Sequence, residues 1–190
     1  MRIVGGKHKG RKLFTPDNYD VRPTADNVRE ALFNILGNIS KKRFFDVFGG
    51  SGAVALEAVS RGAIVDVNDR NEKSVALIKK NFDLCREAAT ITRLDAVRAI
   101  KSKTNPFDII FLDPPYAMDV TSVLEALATS SIVNDDTLII YEKAYKDPVP
   151  SFPGYDVVDQ RKYGIVGLVF YRKTKQEIEP PVETPTDEQG

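Results

Sequence analysis

The chain has 190 residues, with 27 basic and 27 acidic side chains, a formal net charge of zero at pH 7 and 42% hydrophobic residues. This composition is ordinary for a globular protein, and the length fits one α/β domain with a full core. No apolar run reaches the roughly 18 residues that a transmembrane helix needs. The first residues lack the apolar region of a signal peptide, and Cys85 is the single cysteine. We therefore expect a cytoplasmic protein without an internal disulfide.

The charges are unevenly placed along the chain. Residues 1–12 hold five basic side chains and no acid, whereas residues 176–190 hold five acids and no base. A basic segment can follow a phosphate backbone, so we predict that the head contacts nucleic acid. The residues predicted to make these contacts are Arg2, Lys7, Lys9, Arg11 and Arg22. The acidic, proline-containing tail is predicted to be disordered.

The predicted elements begin with a small N-terminal hairpin-like arm. It consists of two short strands, 2–4 and 12–14, and the glycines between them allow turns with positive φ. A loop over residues 16–23 follows. The chain is therefore divided into three parts: the arm (1–23), a main domain (24–174) and the tail (175–190).

The main domain is predicted to start with an amphipathic helix. Thr24 stands where an N-cap belongs. Apolar residues then recur at the i, i+3, i+4, i+7, i+8 spacing from Val28 to Leu36, which predicts a face packed against the core. Gly37 closes the helix in the usual C-terminal position.

From Arg43 onward, predicted strands and helices alternate. The strands cover 44–48, 64–68, 89–94, 107–113 and 137–141, and the helices cover 52–60, 71–86, 95–102 and 121–128. Two further strands, 155–159 and 165–172, follow without a helix between them. The alternation predicts an α/β fold with a doubly wound, mostly parallel sheet, and the closing pair predicts an antiparallel edge.

A glycine turn, Asp46-Val47-Phe48-Gly49-Gly50-Ser51-Gly52, joins the first of these strands to its helix. Glycines there let a ligand approach the backbone, and the helix N-terminus offers unpaired N–H groups. The absence of Gly-Lys-Ser/Thr excludes the phosphate loop of NTPases. The spacing Gly50-x-Gly52-x-x-Ala55 satisfies the relaxed dinucleotide fingerprint, with Asp69 where a ribose-binding acid is expected. A nicotinamide dinucleotide and S-adenosylmethionine are therefore both candidate ligands.

Aspartates at successive strand ends favour S-adenosylmethionine. Asp46 would repel a pyrophosphate but suits the cationic amino end of that cofactor. Asp69 could accept both ribose hydroxyls, and Asp95 could accept the adenine amino group, although Asp95 alone could simply cap its helix. The residues predicted to bind the cofactor are Asp46, Phe48, Gly49, Gly50, Ser51, Gly52, Asp69, Asp95 and Ala96.

The fourth strand ends in the motif Asp113-Pro114-Pro115-Tyr116. The apolar run 109–112 predicts a strand covered on both faces, and the prolines must end it. The motif then lies at the C-terminal edge of the sheet, where open α/β folds bind ligands. A fixed carboxylate, a proline carbonyl and a ring suit a flat group that bears an amine. Asp113, Pro114 and Tyr116 are therefore the predicted catalytic residues.

Taken together, the motifs resemble those of the bacterial 16S ribosomal RNA guanine-N2 methyltransferases of the RsmD type, from Met1 to about Arg172. The resemblance is carried by Arg2-Ile3-Val4-Gly5-Gly6, Arg22-Pro23-Thr24, the run from Val28 to Leu36, the glycine turn and the Asp-Pro-Pro-Tyr motif. It implies a class I, Rossmann-like fold, S-adenosylmethionine as cofactor, and a monomer that acts on ribosomal RNA in an assembled or assembling small ribosomal subunit. Two departures stand out: Gly50 replaces a usual alanine, and Asn68-Asp69 replaces valine-glutamate, which shortens the proposed ribose ligand.

Under this hypothesis, the Asp113 carboxylate and the Pro114 carbonyl accept the hydrogens of the guanine amine while Tyr116 stacks on the base. No metal is needed, and His8 is the single histidine. The Asp-Pro-Pro-Tyr motif is shared with DNA adenine-N6 methyltransferases, so DNA adenine or a protein glutamine amide stays open as the substrate. A nicotinamide oxidoreductase and a catalytically silent nucleic-acid-binding module are the remaining alternatives.

Overall fold

The computed structural model describes residues 1–16, 23–116 and 118–175. Its strands are β1 (Arg43–Asp46), β2 (Ile64–Asn68), β3 (Thr90–Thr92), β4 (Ile109–Leu112), β5 (Leu138–Ala144), β6 (Tyr155–Tyr163) and β7 (Val166–Lys173). They form one sheet in the order β3-β2-β1-β4-β5-β7-β6. The first five strands are parallel, and β7 runs antiparallel to both of its neighbours. The predicted doubly wound sheet with an antiparallel edge is confirmed.

Helices cover both faces of the sheet. They are α1 (Pro23–Leu36), α2 (Ala53–Ser60), α3 (Glu72–Cys85), α4 (Ala96–Lys101) and α5 (Thr121–Ala128). The first three contribute Leu32, Leu56 and Ile78 to one hydrophobic core, and the last two contribute Ile100 and Leu124 to another. Within the described ranges, no helix is long and apolar enough to cross a bilayer.

The central strands are apolar on both sides because helices pack on both faces of the sheet. In β1, Phe44 belongs to the first core and Phe45 to the second, because successive side chains point to opposite faces. All four residues of β4 are buried for the same reason. Burial of each such apolar side chain stabilises the folded state by about 1.5–3 kcal/mol. The central strands are therefore rigid supports for whatever follows their C-terminal ends.

The closing strands form a tight hairpin. Tyr163 pairs with Val166 across a two-residue turn, and Gly164 at its first position has φ +61°. Glycine readily adopts this positive φ, which gives the turn a backbone twist that matches the twist of the two strands. The chain returns through β7, which lies between β5 and β6 and is largely buried, whereas β6 forms the exposed edge.

The N-terminal arm differs from the predicted hairpin. Instead of two strands it contains one isolated antiparallel bridge, between Arg2 and Lys12, and a short 3₁₀ turn over Gly6–His8. Ile3 and Leu13 are buried in the first core, so the arm packs along the helices. Gly6 has φ +71°, and a Cβ there would lie 2.0 Å from the Ser60 carbonyl oxygen. The Ile3 N–H nevertheless donates to the Arg11 carbonyl (3.0 Å) and the Leu13 N–H to the Met1 carbonyl (3.2 Å), so the two segments do lie side by side.

The start of α1 also differs from the prediction. The helix begins at Pro23, so Thr24 is a helical residue and not the N-cap. Proline is favoured at the first helical position, because its missing N–H would be unpaired there in any case. Gly37 closes the helix with φ +64°, as predicted. Arg22 and the acidic tail from 176 onward lie outside the described residues.

A buried acid, Glu57 of α2, joins the arm to the domain. Its carboxylate accepts hydrogen bonds from the Val4 N–H (2.8 Å) and from Arg61 Nε (2.9 Å). Arg29 Nε lies 3.7 Å away, and the Arg29 guanidinium also donates to the Arg2 carbonyl and to Asp26. Glu57 therefore balances the charge of two arginines that are largely shielded from water.

We expect Glu57→Ala to lower the free energy of unfolding by about 3–5 kcal/mol, because it breaks the ion pairs of a fully buried carboxylate with Arg29 and Arg61 and leaves the Val4 N–H without its acceptor. Urea denaturation followed by circular dichroism measures the change. Glu125→Ala, at an exposed position of α5, serves as the control and should stay within about 0.5 kcal/mol of the original chain. Equal stability of the two variants would contradict the role assigned to Glu57.

Candidate active site

The predicted site residues meet at the C-terminal edge of the sheet. Asp46 ends β1 beside Phe111 of β4, and the Val47 N–H donates to the Phe111 carbonyl. Asp69 follows β2, and its N–H donates to the Thr92 carbonyl at the end of β3. Asp113 follows β4 directly. Because these strands are parallel and in register, their ends place four loops side by side.

A cleft of about 530 Å³ opens among these loops. We call it the glycine-turn cleft, since the turn after β1 forms one wall. The ends of β2 and β3 and the loop after β4 form the others. Of the predicted cofactor residues, it is lined by Phe48, Gly50, Asp69, Asp95 and Ala96; of the predicted catalytic residues, by Asp113 and Pro114.

A second cleft of about 320 Å³, the acid pocket, lies on the α1 side of the same edge. It is lined by Asp46, Gly49, Ser51, Arg29, Asp113 and Glu142, and it shares Phe48 and Gly50 with the glycine-turn cleft. Gly52 lines neither cleft. It precedes α2 with φ +80° and packs on Ile78, so it shapes the turn from behind.

The glycine turn depends on its lack of side chains. A Cβ on Gly49 would lie 2.5 Å from a Val67 methyl group and 2.9 Å from one of Ile78. Gly50 has φ +55°, and a Cβ there would meet no atom within 4 Å, so it faces the open cleft. The backbone is therefore directly accessible to a ligand at this turn.

Two of the predicted ligand acids also stabilise the loops. Asp69 accepts hydrogen bonds from the Gly50 N–H (2.9 Å) and the Asn71 N–H (2.8 Å), one on each oxygen. Asp95 caps α4 by accepting from the Arg98 N–H (3.0 Å). Each carboxylate oxygen retains a further lone pair for a ligand. Their roles in cofactor binding stay predictions.

Asn68, a residue that the sequence analysis noted only as a departure, holds three strand ends together. It is 1% exposed. Its amide donates to the carbonyls of Val47 (3.2 Å) and Leu94 (3.0 Å), and its oxygen accepts from the Thr92 hydroxyl and the Leu94 N–H. All four hydrogen-bonding positions of the amide are satisfied. The side chain thereby fixes the positions of Phe48, Asp69 and Asp95, which follow these strand ends.

Asp46 is a buried carboxylate that lacks a full set of partners. It is 1% exposed, and its Oδ1 has no hydrogen-bond partner within the described residues. Burial, together with repulsion from Asp113, raises the pKa of Asp46 to about 8, despite stabilising backbone N–H groups at Phe48 and Ala55. An unpaired buried oxygen of this kind is costly unless a ligand supplies a donor.

Asp113 is not deeply buried, since it touches solvent within the cleft. Protein atoms around it nevertheless displace much of its hydration, and this desolvation raises the pKa of Asp113. An anionic carboxylate there gains by accepting hydrogen bonds from a bound amine.

Glu142 of β5 is a further acid at the site, and the sequence analysis missed it. Leu112 pairs with Tyr141, so Asp113 and Glu142 occupy the next positions on neighbouring parallel strands. Burial, followed by repulsion from Asp113 and Asp46, raises the pKa of Glu142. The sequence signals it only as the residue that directly follows the predicted strand 137–141.

The Tyr116 ring lies on the far side of Asp113. It is 83% exposed and lines a third cleft of about 510 Å³, the tyrosine cleft, with Tyr141, Glu142 and Ile165. Asp113 lines all three clefts. A ligand in the glycine-turn cleft and a flat group on Tyr116 would therefore meet at Asp113.

The basic residues of the arm lie largely apart from these clefts. Lys7 and His8 both contact Glu87, at 2.7 and 2.5 Å, just beyond the C-terminal end of α3. Because α3 runs antiparallel to the strands, this end lies at the opposite edge of the sheet. Arg11 bonds the Leu84 carbonyl in the same region. Arg2 and Lys9 are exposed.

Within the described part of the chain, no group of three or more histidine, cysteine, aspartate or glutamate side chains is arranged to hold a metal ion.

Comparison with known proteins identifies the family. The family model described as Conserved hypothetical protein 95 matches residues 1–172. The chain is 35% identical over 184 residues to ribosomal RNA small subunit methyltransferase D of Escherichia coli (strain K12), which covers 94% of this chain and 91% of that protein. It is 29% identical over 180 residues to the protein of the same name from Haemophilus influenzae, and the match covers 90% of this chain and 93% of that protein.

A solved structure gives the same result. That of yhhF from Escherichia coli has a TM-score of 0.82 and 29% sequence identity, and it covers 93% of this chain and 99% of that chain. The seven-stranded mixed sheet and this neighbour confirm the predicted class I, Rossmann-like methyltransferase fold. The chain therefore belongs to the Conserved hypothetical protein 95 family, that of the RsmD-type ribosomal RNA small subunit methyltransferases.

Proposed function

We propose that this chain transfers a methyl group from S-adenosylmethionine to the exocyclic N2 amine of a guanine in 16S ribosomal RNA, on an assembled or assembling small subunit. One observation supports this most directly: Asp113 lines both the glycine-turn cleft and the cleft that contains Tyr116. The family membership supplies the RNA class of the substrate.

The residues present fit S-adenosylmethionine. The unpaired Asp46 Oδ1 suits a cationic ammonium group, and the open Gly50 backbone suits close approach of a ligand. Asp69 and Asp95 would hold the ribose and the adenine. When bound, S-adenosylmethionine supplies a methyl group activated by its sulfonium centre.

The chain's own residues prepare the guanine amine. The lone pair of this amine is delocalised into the base, so it is a poor nucleophile. Acceptance of its two hydrogens by the Asp113 carboxylate and the Pro114 carbonyl favours a pyramidal nitrogen. Stacking of the base on Tyr116 holds that nitrogen in place, and the base must leave any helix to reach it.

Glu142 would complete the recognition of guanine. The guanine edge presents two adjacent donors, N1–H and N2–H. Asp113 and Glu142, neighbours on parallel strands, present two carboxylates that repel one another until donors are supplied. Adenine lacks a hydrogen on N1, so Glu142 favours guanine.

Methyl transfer with a tritiated donor tests the function directly. The acceptors are small subunits from cells lacking the protein, naked 16S RNA and duplex DNA. We expect label in ribosomal RNA, and N2-methylguanosine after digestion; label in DNA adenine would instead support the alternative substrate. S-adenosylhomocysteine, but not NAD, should raise the melting temperature, because binding to the folded state stabilises it.

We expect Asp113→Ala to lower the rate of methyl transfer at least about 100-fold, because the amine loses an acceptor and its alignment. Asp113→Asn keeps one carbonyl acceptor, so its rate of methyl transfer should lie between those of the original chain and Asp113→Ala. Rates are measured with saturating donor on small subunits. Asp156→Ala, at an exposed position of β6, is the matched control; an Asp113→Ala rate equal to it would refute the assignment.

The raised pKa of Asp46 predicts a pH dependence. Below pH 8 the free protein holds a proton on Asp46, which the ligand ammonium must displace. Affinity for S-adenosylhomocysteine should therefore rise about tenfold per pH unit between pH 6 and 7.5. Isothermal titration calorimetry measures this slope, and Asp46→Asn should weaken binding and remove the slope.

The same substitution should stabilise the free protein. Because folding raises the pKa of Asp46, the free energy of unfolding of the protein falls as the pH rises from about 4 to about 8. Asp46→Asn removes this loss, so its melting temperature at pH 8 should exceed that of the original chain by about 2–4 °C for each kcal/mol gained. A melting temperature that falls, or a pH slope of stability as steep as that of the original chain, would argue against the role of Asp46.

The role of Glu142 is tested with 2,6-diaminopurine, which keeps the N2 amine of guanine but has no hydrogen on N1. In reconstituted small subunits assayed above about pH 8, the raised pKa of Glu142, the original chain should prefer guanine at the target position about tenfold or more, because the ionised carboxylate can only accept a hydrogen and the N1 nitrogen of 2,6-diaminopurine has none to donate. Glu142→Gln can donate to the bare N1 nitrogen, so it should narrow this preference. An unchanged kcat/KM ratio between the two bases would exclude the proposed contact.

A further inference from the structure

Beside the tyrosine cleft lies another hollow of about 470 Å³, which we call the hairpin cleft. It is bounded by Tyr116 of the catalytic loop, by Tyr145 and Lys146 after β5, and by Lys162 and Ile165 at the β6–β7 hairpin. None of the basic arm residues discussed above lines it. It is continuous with the active site, because Tyr116 and Ile165 also line the tyrosine cleft.

The walls of the hairpin cleft expose large apolar surfaces. Ile165 is 74% exposed and Tyr145 is 41% exposed. Ile165 occupies the second position of the tight turn that starts at Gly164, where small polar residues are usual. Exposed apolar groups placed together next to a catalytic loop indicate a binding surface.

The same cleft carries positive charge. Lys146 and Lys162 are both exposed, and Lys162 Nζ lies 4.4 Å from the centroid of the Tyr145 ring. The neighbouring acid, Asp147, lines the tyrosine cleft instead. Aromatic rings with cations beside them are the elements with which proteins hold single-stranded nucleic acid, by stacking bases and neutralising phosphates.

The cleft is held in shape before any ligand arrives. The buried Lys143 donates to the carbonyls of Ala144 (2.8 Å), Tyr145 (3.2 Å) and Asp147 (2.5 Å), which fixes the turn after β5. The Tyr145 N–H donates to the Ile165 carbonyl (2.8 Å), which ties this turn to the hairpin. A prearranged surface loses little entropy on binding.

We propose that the hairpin cleft binds the single-stranded RNA next to the methylated guanine, with one base on Tyr145 and Ile165 and the adjoining phosphates on Lys146 and Lys162. This inference rests on the proposed function. Tyr116 connects the two sites, since the target base stacks on Tyr116 while the adjacent nucleotide of the RNA enters the hairpin cleft. Substrate selection then lies partly at the β6–β7 edge of the sheet.

Binding of a fluorescent 12-nucleotide single-stranded RNA with a central guanine, followed by anisotropy over a series of KCl concentrations, tests the proposal. We expect Lys146→Ala/Lys162→Ala to weaken binding about tenfold or more and to reduce the slope of log affinity against log salt by about 1.4. Tyr145→Ala should weaken binding about tenfold, whereas Tyr145→Phe should retain it, because the phenyl ring still stacks.

Lys41→Ala/Lys101→Ala is the matched control, because both lysines are exposed and lie at the opposite edge of the sheet. It should bind RNA like the original chain. Every variant should retain affinity for S-adenosylhomocysteine in calorimetry, since no substituted residue lines the glycine-turn cleft. Retained affinity shows that the variant is folded.

Two results would overturn the proposal: no binding of the RNA by the original chain, or an unchanged RNA affinity and salt slope in Lys146→Ala/Lys162→Ala. In the second case, weaker cosedimentation of this variant with intact small subunits would indicate a ribosomal protein as the partner. Failure of the proposed function is recognised separately, because the original chain would then transfer no methyl group to small subunits or naked RNA. If only the hairpin-cleft proposal is wrong, the original chain still transfers methyl groups, and the cleft variants bind RNA with the same affinity as the original chain.

Discussion

Three carboxylates placed together on one face of the sheet impose the main physical constraint on this protein. Asp46 ends β1, Asp113 follows β4 and Glu142 lies within β5. Desolvation raises the pKa of all three, and repulsion from neighbouring carboxylates raises the pKa of Asp46 and Glu142 further. Arg29 lines the same pocket, but it donates to Asp26 and to the arm. The acids are thus left to accept hydrogens from bound molecules, at a cost in stability that the surrounding core offsets.

The sheet makes such a cluster possible. Parallel strands in register bring residues that are distant in sequence to one edge, and the double layer of helices keeps the strands from shifting. Asn68 satisfies the polar groups at three strand ends, so the loops that follow are held by side-chain bonds as well as by the ladder. Small, rigid displacements at this edge would separate the acceptors from an amine, and correct positioning can contribute about 7–11 kcal/mol to such catalysis.

The two ends of the chain contribute differently to the surface around the site. The arm runs along α2 and α3 toward the opposite edge of the sheet, where Glu87 engages two of its basic side chains. The closing hairpin, in contrast, places an apolar residue and a lysine next to Tyr116. Of the predicted RNA-binding residues of the arm, Lys7 pairs with Glu87, whereas Arg2 and Lys9 are exposed, and their contacts with RNA stay predictions.

The sequence by itself determined the elements that depend on neighbouring residues. Prolines after an apolar run ended β4 at Asp113, glycines marked the turn after β1, and the alternation of strands and helices predicted a parallel sheet with an antiparallel edge. Only the tertiary structure decided which strands are neighbours and in what register. Glu142 joins Asp113 because β5 pairs with β4, and the arm forms a single bridge because Glu57 and Ser60 bind its backbone. These are contacts between residues far apart in the chain, whose free energies depend on packing and leave no local pattern in the sequence.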